Sequence, residues 1–144
     1  MIHAGYSPVL SINFPSKISH SFFGGKTFSL PPYVDSESMV KNMKLEREIY
    51  SLIFLTTKGN WDLYIPFYER SFKIVQNNGY ICFITPNKWL SINYGKTLRS
   101  YLNKCLSKIC SCDEIKVFKD AGNSPVITFF RKKEVKNKIL VDFY

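Results

Sequence analysis

The 144-residue chain is 45% apolar and 16% aromatic, which supports one folded domain with a real core and excludes a mostly disordered chain. Its 20 Lys and Arg against 11 Asp and Glu leave a formal charge of +9, a surplus that suits a polyanionic partner through counterion release, although many basic domains bind nothing anionic. No run approaches the roughly 20 apolar residues of a membrane span, and no charged segment leads into an apolar run at the N-terminus; the reading is a soluble, cytoplasmic protein with no membrane partner.

Residues 1–28 carry no sustained period and stay unassigned. Pro8, Pro15, Gly24 and Gly25 interrupt short apolar runs such as Val9-Leu10-Ser11-Ile12. Gly24-Gly25-Lys26-Thr27 lacks the upstream glycine and clear preceding strand of a phosphate loop. At Leu30-Pro31-Pro32-Tyr33 two prolines end any helix and force an extended backbone. Asp35-Ser36-Glu37-Ser38 predicts a helix start, with Met39, Val40, Met43, Leu45 and Ile49 at near-helical spacing until Lys58-Gly59-Asn60 interrupts.

Over residues 61–75, Leu63 with Phe67, and Tyr64 with Tyr68 and Phe72, recur as an amphipathic helix packed on a sheet. Pro66 must then lie in its first turns, and Asn77-Asn78-Gly79 supplies the stop. Tyr80-Ile81-Cys82-Phe83-Ile84-Thr85 predicts a strand buried on both faces, closed by Pro86-Asn87. Asn87, Lys88 and Trp89 follow that strand where clefts form in open α/β sheets, so they either line a cleft or, for Trp89, cap the core. Residues 95–106 read as a further helix, with Leu98, Tyr101, Leu102 and Cys105 as its stripe. Residues 114–118 and 126–130 read as strands joined by Asp120-Ala121-Gly122-Asn123, and 139–143 adds a short strand. This order implies an α/β layer ending in an antiparallel strand pair. Cys82, Cys105, Cys110 and Cys112, with His3 and His20 for company, lack paired zinc spacing and read as packing thiols rather than a metal site.

Three blocks carry a family resemblance: Pro31-Pro32-Tyr33-Val34-Asp35-Ser36-Glu37; Gly59-Asn60-Trp61-Asp62-Leu63-Tyr64 through to residues 79–90; and Val117-Phe118-Lys119-Asp120-Ala121 followed by Val126-Ile127-Thr128-Phe129-Phe130. In this order they resemble the gamma-class N6-adenine DNA methyltransferases of restriction-modification systems, over roughly residues 29–135. The resemblance implies the C-terminal half of a Rossmann-like S-adenosylmethionine-dependent methyltransferase sheet. It divides the chain into an unassigned segment, 1–28, and a partial catalytic domain, 29–144.

That family transfers a methyl group from S-adenosylmethionine to the N6 of an adenine flipped out of double-stranded DNA. The amino lone pair is delocalised into the ring, so acceptors must hold the amino group beside the donor. By resemblance, the backbone carbonyl of Pro31 is one acceptor, Pro32 stiffens the loop, Tyr33 stacks on the base, and Phe118 closes the sandwich. On residues alone Phe118 is an ordinary strand-end core side chain. The family's asparagine is Leu30 here, after Ser29 where glycine is usual, so one acceptor is lost. Residues 1–28 contain no Phe-x-Gly-x-Gly loop and no strand ending in an acid for the cofactor ribose. The expectation is a truncated form, inactive alone, acting with a separately encoded N-terminal half or a restriction subunit. Half a sheet should leave an unpaired edge and an exposed apolar face, hence poor solubility. A different class, a non-catalytic basic nucleic-acid-binding module, rests on Arg131-Lys132-Lys133, Lys136-Asn137-Lys138 and exposed aromatics.

Overall fold

A computed structural model describes residues 21–23, 26–29, 31–112, 124–133 and 140–143. The described strands are β1 (Ser21–Phe23), β2 (Lys26–Ser29), β3 (Tyr80–Pro86), β4 (Leu106–Ser111), β5 (Pro125–Arg131) and β6 (Leu140–Phe143), joined in one sheet in the order β1-β2-β3-β5-β4-β6. β2 runs parallel to β3, and β4 to β6; the other neighbours are antiparallel. The expected central strand is β3, with Ile81, Cys82, Phe83 and Thr85 buried. Pairing on both sides, to β2 and β5, satisfies its backbone and leaves side chains that are apolar apart from Thr85 to cover. β2 is flanked by β1, paired from Ser21↔Phe28 to Phe23↔Lys26, so the described sheet ends in β1 on this side. The outermost described strands are short, as sheet edges usually are.

The single helical stretch expected after Asp35 is two helices, α1 (Ser36–Asn42) and α2 (Lys44–Ile53). Asp35 caps α1 by accepting from the Ser38 N–H at 2.7 Å. Met43, at φ −138° and ψ 42°, breaks the run. Of the apolar positions that suggested one amphipathic helix, Met39 is buried, whereas Val40, Leu45 and Ile49 are exposed. The reason is that α2 turns a cation inward. Arg47 donates to the carbonyls of Trp61 (2.9 Å) and Gly59 (3.0 Å) and lies over the Trp61 ring at 4.5 Å. Tyr50, three residues on, is the buried anchor, so Leu45, Ile49 and Leu52 face outward.

The next helix, α3 (Tyr64–Ile74), matches its expected periodicity, with Pro66 in the first turn. Its buried Tyr64, Ile65, Phe67 and Tyr68 meet Ile81 and Phe83 of β3 and Phe130 of β5 in the core. Tyr68 packs edge-on against Phe83 and Phe130, and its hydroxyl lies 3.0 Å from Thr85 Oγ1 and 2.9 Å from Thr128 Oγ1. One buried polar ring is thereby satisfied by both central strands.

The helix expected over 95–106 ends early. The observed α4 is Gly95–Leu102, and Leu106–Ser111, read partly as helix tail, is β4. Its strand state comes from pairing with β5 and β6, a tertiary choice invisible in local periodicity. The strand expected at 114–118 lies outside the described residues, while 126–130 is found in β5 and 140–143 in β6. Among the described residues no helix is long and apolar enough to cross a membrane, and no three His, Cys, Asp or Glu side chains gather as metal ligands.

Glu69 of α3 has no exposed side-chain surface and pairs with Lys73 at 2.6 Å. Burial opposes its charge, but Lys73 and the N–H (2.9 Å) and hydroxyl (3.0 Å) of Thr56 outweigh it and hold the carboxyl below its ordinary range. A depressed folded-state pKa contributes stability above the unfolded value and loses it as pH falls through the folded one. Glu69→Gln should therefore lower the thermal midpoint near neutral pH and flatten its decline in acid. Midpoints recorded from about pH 7 down to about pH 3 test this, and an unchanged acid slope would rule Glu69 out as the titrating group.

Candidate functional site at the strand ends

Because β2 and β3 are parallel, with Ser29 opposite Phe83, the chain leaving β2 emerges beside Ile84–Pro86. Pro31 is buried and Pro32 half-buried in this loop, and Tyr33 is 41% exposed. The Tyr33 hydroxyl donates to the Ile84 carbonyl at 2.8 Å, fastening the ring to the end of β3. Desolvation pushes its pKa up to about 12, so it stays a neutral donor across the physiological range. No described residue donates to the Pro31 carbonyl. Leu30 lies outside the described residues.

The loop's exit is also held. Leu63 N–H donates to Val34 O at 2.9 Å, and Asp62 Oδ1 accepts from Ser36 N–H at 2.9 Å. The exposed Asp35 carboxyl is held below its usual range by the Ser38 backbone N–H and hydroxyl, with smaller help from the Lys88 ammonium. Lys88 therefore belongs to the same rim.

After β3 the chain makes a 3₁₀ turn, Asn87–Leu90. Asn87 and Lys88 are half-buried at the rim, but Trp89 is 1% exposed and donates from Nε1 to Thr85 Oγ1 at 3.2 Å. Its ring lies 5.3 Å from that of Tyr68. Of the two readings open for Trp89, core packing is the one observed. Phe118 lies outside the described residues. Its flanks are informative: Cys112 N–H donates to Pro125 O (3.1 Å) and Asn87 N–H to Ser124 O (3.0 Å). With Pro86 opposite Pro125 and Ser111 opposite Val126, the described residues on either side of 113–123 lie at the end of the sheet where the Pro31–Tyr33 loop emerges.

The basic run meant to touch nucleic acid has other work. Lys132 Nζ donates to the carbonyls of Val75 (2.7 Å) and Lys73 (3.2 Å), capping the C-terminus of α3. The Arg131 guanidinium lies over Tyr80 at 5.2 Å. These contacts count against the nucleic-acid-module reading at residues 131–132; Lys136-Asn137-Lys138 lies outside the described residues. Sequence reasoning passed over Asp62 and Tyr94. The available signal was one acid inside the apolar stretch Trp61–Tyr64.

The fold is that of class I S-adenosylmethionine-dependent methyltransferases. A protein of that class from Listeria monocytogenes superposes with a TM-score of 0.58 at 16% identity, over 83% of this chain and 36% of that one. The type IIG restriction endonuclease BpuSI superposes with the same score at 24% identity, over 79% of this chain and 14% of its own. Residues 31–118 match the Eco57I restriction-modification methylase family, and the chain belongs to that family. It is 33% identical over 109 residues to the type II restriction enzyme and methyltransferase RM.Eco57I of Escherichia coli, covering 74% of this chain and 11% of that protein. Against the type II methyltransferase M.XhoI of Xanthomonas vasicola it is 32% identical over 111 residues, covering 75% and 20%. The chain thus spans a small part of the curated relatives it matches.

Proposed function

We propose that residues 29–144 form the target-base side of a site-specific adenine-N6 DNA methyltransferase of a restriction-modification system. The observation that carries this reading is Tyr33: a half-exposed ring at the ends of two parallel strands, fastened by its hydroxyl, beside a Pro31 carbonyl to which no described residue donates. In this reading the flipped adenine stacks on Tyr33, with Phe118 opposite. The Pro31 carbonyl accepts one amino hydrogen, and Pro32 keeps the loop from relaxing.

S-adenosylmethionine supplies the methyl group in this family's reaction. The described residues do not fit that donor. Among the described residues the rim offers no glycine-rich loop, and the exposed acid there, Asp35, is engaged as the cap of α1. Donor contacts therefore belong to another segment or a separately encoded half, or to a larger polypeptide carrying restriction functions. The chain alone is inactive in this reading because it lacks those donor contacts, and Leu30, which cannot accept the second amino hydrogen, slows transfer even where they are supplied.

Transfer of tritium from labelled S-adenosylmethionine to duplex DNA, with and without the upstream gene product, tests this. No transfer is expected from the chain alone, and transfer to adenine is expected with its partner. Cytosine as the acceptor would refute the adenine assignment, and transfer by the chain alone would refute the assignment of the donor contacts to a partner. Tyr33→Ala should weaken binding of an extrahelical base by about 1–3 kcal/mol, the usual worth of one stacking aromatic.

A further inference from the structure

We infer that Asp62 is a positioning residue for the base-stacking loop, fixing where Tyr33 presents its ring; this rests on the reading of Tyr33 above. Asp62 is 7% exposed and stands two residues ahead of α3. Its two oxygens serve different elements. Oδ1 accepts from the Ser36 N–H at 2.9 Å, three residues beyond Tyr33, and Oδ2 accepts from the Tyr94 hydroxyl at 2.9 Å, just before α4. The Tyr94 hydroxyl also lies 2.8 Å from that of Tyr64. Since Tyr94 gives its only proton to the carboxylate, Tyr64 must donate to Tyr94. The proton order is therefore Tyr64 to Tyr94 to Asp62, which a carboxylate as terminal acceptor satisfies.

The adjacent Leu63 N–H holds the Val34 carbonyl at 2.9 Å, so two consecutive residues grip both polar sides of the loop exit. Beneath them, Arg47 anchors the carbonyls of Trp61 and Gly59. On the far side of Tyr33, its own hydroxyl is tied to Ile84. An exposed ring anchored on both sides keeps one orientation without a ligand, and that is what a stacking platform needs. Were Asp62 only a core acceptor, its loss would loosen the whole domain rather than this loop.

Amide hydrogen exchange on the full chain separates the two cases. In Asp62→Ala, exchange at Ser36 and Leu63 should accelerate about tenfold beyond any change at β3, the worth of one charge-assisted hydrogen bond in a local opening. Asp62→Asn should recover most of that protection, because its oxygen can face Ser36 and its amide can donate to Tyr94. If the alanine variant fails to fold, Tyr94→Phe takes its place, with a smaller rise confined to the same amides. Uniform acceleration across the sheet, or unchanged exchange at Ser36, would overturn the inference.

Quenching of a 2-aminopurine base in an unpaired oligonucleotide position provides the second readout. It should weaken in Asp62→Ala and recover in Asp62→Asn; a variant quenching as strongly as wild type despite a loosened loop would also overturn the inference. If wild type itself gives no quenching while the exchange pattern holds, the base-stacking reading of Tyr33 fails and the clamp on the loop stands.

Discussion

Gly95→Ala should destabilise the chain by about 3 kcal/mol, lowering the thermal midpoint by roughly 6–12 °C for a domain of this size. Helix propensity alone argues the reverse, since alanine is favoured over glycine by about 1 kcal/mol inside a helix. Space decides the sign. A Cβ on Gly95 would lie 2.0 Å from the carbonyl oxygen of Trp89 and 2.7 Å from its carbon. The Arg99 guanidinium, 2.8 Å from that position, ends a flexible side chain and could swing aside, but the Trp89 carbonyl is backbone. It is held as acceptor by Arg99, and its own side chain is buried against Tyr68. Relief would require moving the 3₁₀ turn that leaves β3 away from α4. Thermal unfolding followed by circular dichroism tests this, and an alanine variant as stable as wild type would mean that the turn and helix are not so tightly apposed.

Leu30→Asn, assayed with the donor-binding partner, should raise the rate of methyl transfer by about 10²–10³, the usual worth of one preorganised polar contact to a reacting group. The substitution restores an acceptor next to Pro31, whose carbonyl no described residue occupies. In the proposed reading two acceptors, rather than one, would then hold the adenine amino group. In the proposed reading leucine does more than lack this contact, since an apolar side chain would meet the polar nitrogen. The effect should fall on the turnover rate more than on DNA affinity, because phosphate contacts dominate the latter. Single-turnover transfer by the leucine and asparagine forms provides the comparison. Equal rates would show that position 30 does not face the reacting nitrogen.

The parts of the fold legible beforehand were those where local pattern and burial agree. The alternation of Tyr64, Phe67, Tyr68 and Phe72 marks α3, and the unbroken apolar run of β3 marks a strand covered on both faces. Asp35 announced its helix by cap chemistry. Misreadings arose where a side chain served a distant partner. Arg47 points inward because the carbonyls of Gly59 and Trp61 are there to receive it, which turns Leu45 and Ile49 outward. Lys132 reads as part of a basic tract and acts as a cap for a helix 57 residues earlier in the chain. Trp89 was equally suited to a cleft or a core until Thr85 and Tyr68 were seen beside it.

The candidate site divides the same way. Pro31, Pro32 and Tyr33 stand out in one dimension because proline restricts the backbone through covalent geometry, which travels with the sequence. The family of the chain and the central elements of its sheet follow from that loop and the blocks after it. Which groups hold the loop was decided only in three dimensions. Ile84, Asp62 and Leu63 lie from 26 to 51 positions away from their loop partners, and Tyr94 acts through Asp62. Local periodicity carries burial and capping, because both depend on neighbouring residues. Hydrogen bonds that close across a sheet depend on register and topology, so they exist only once the strands have paired.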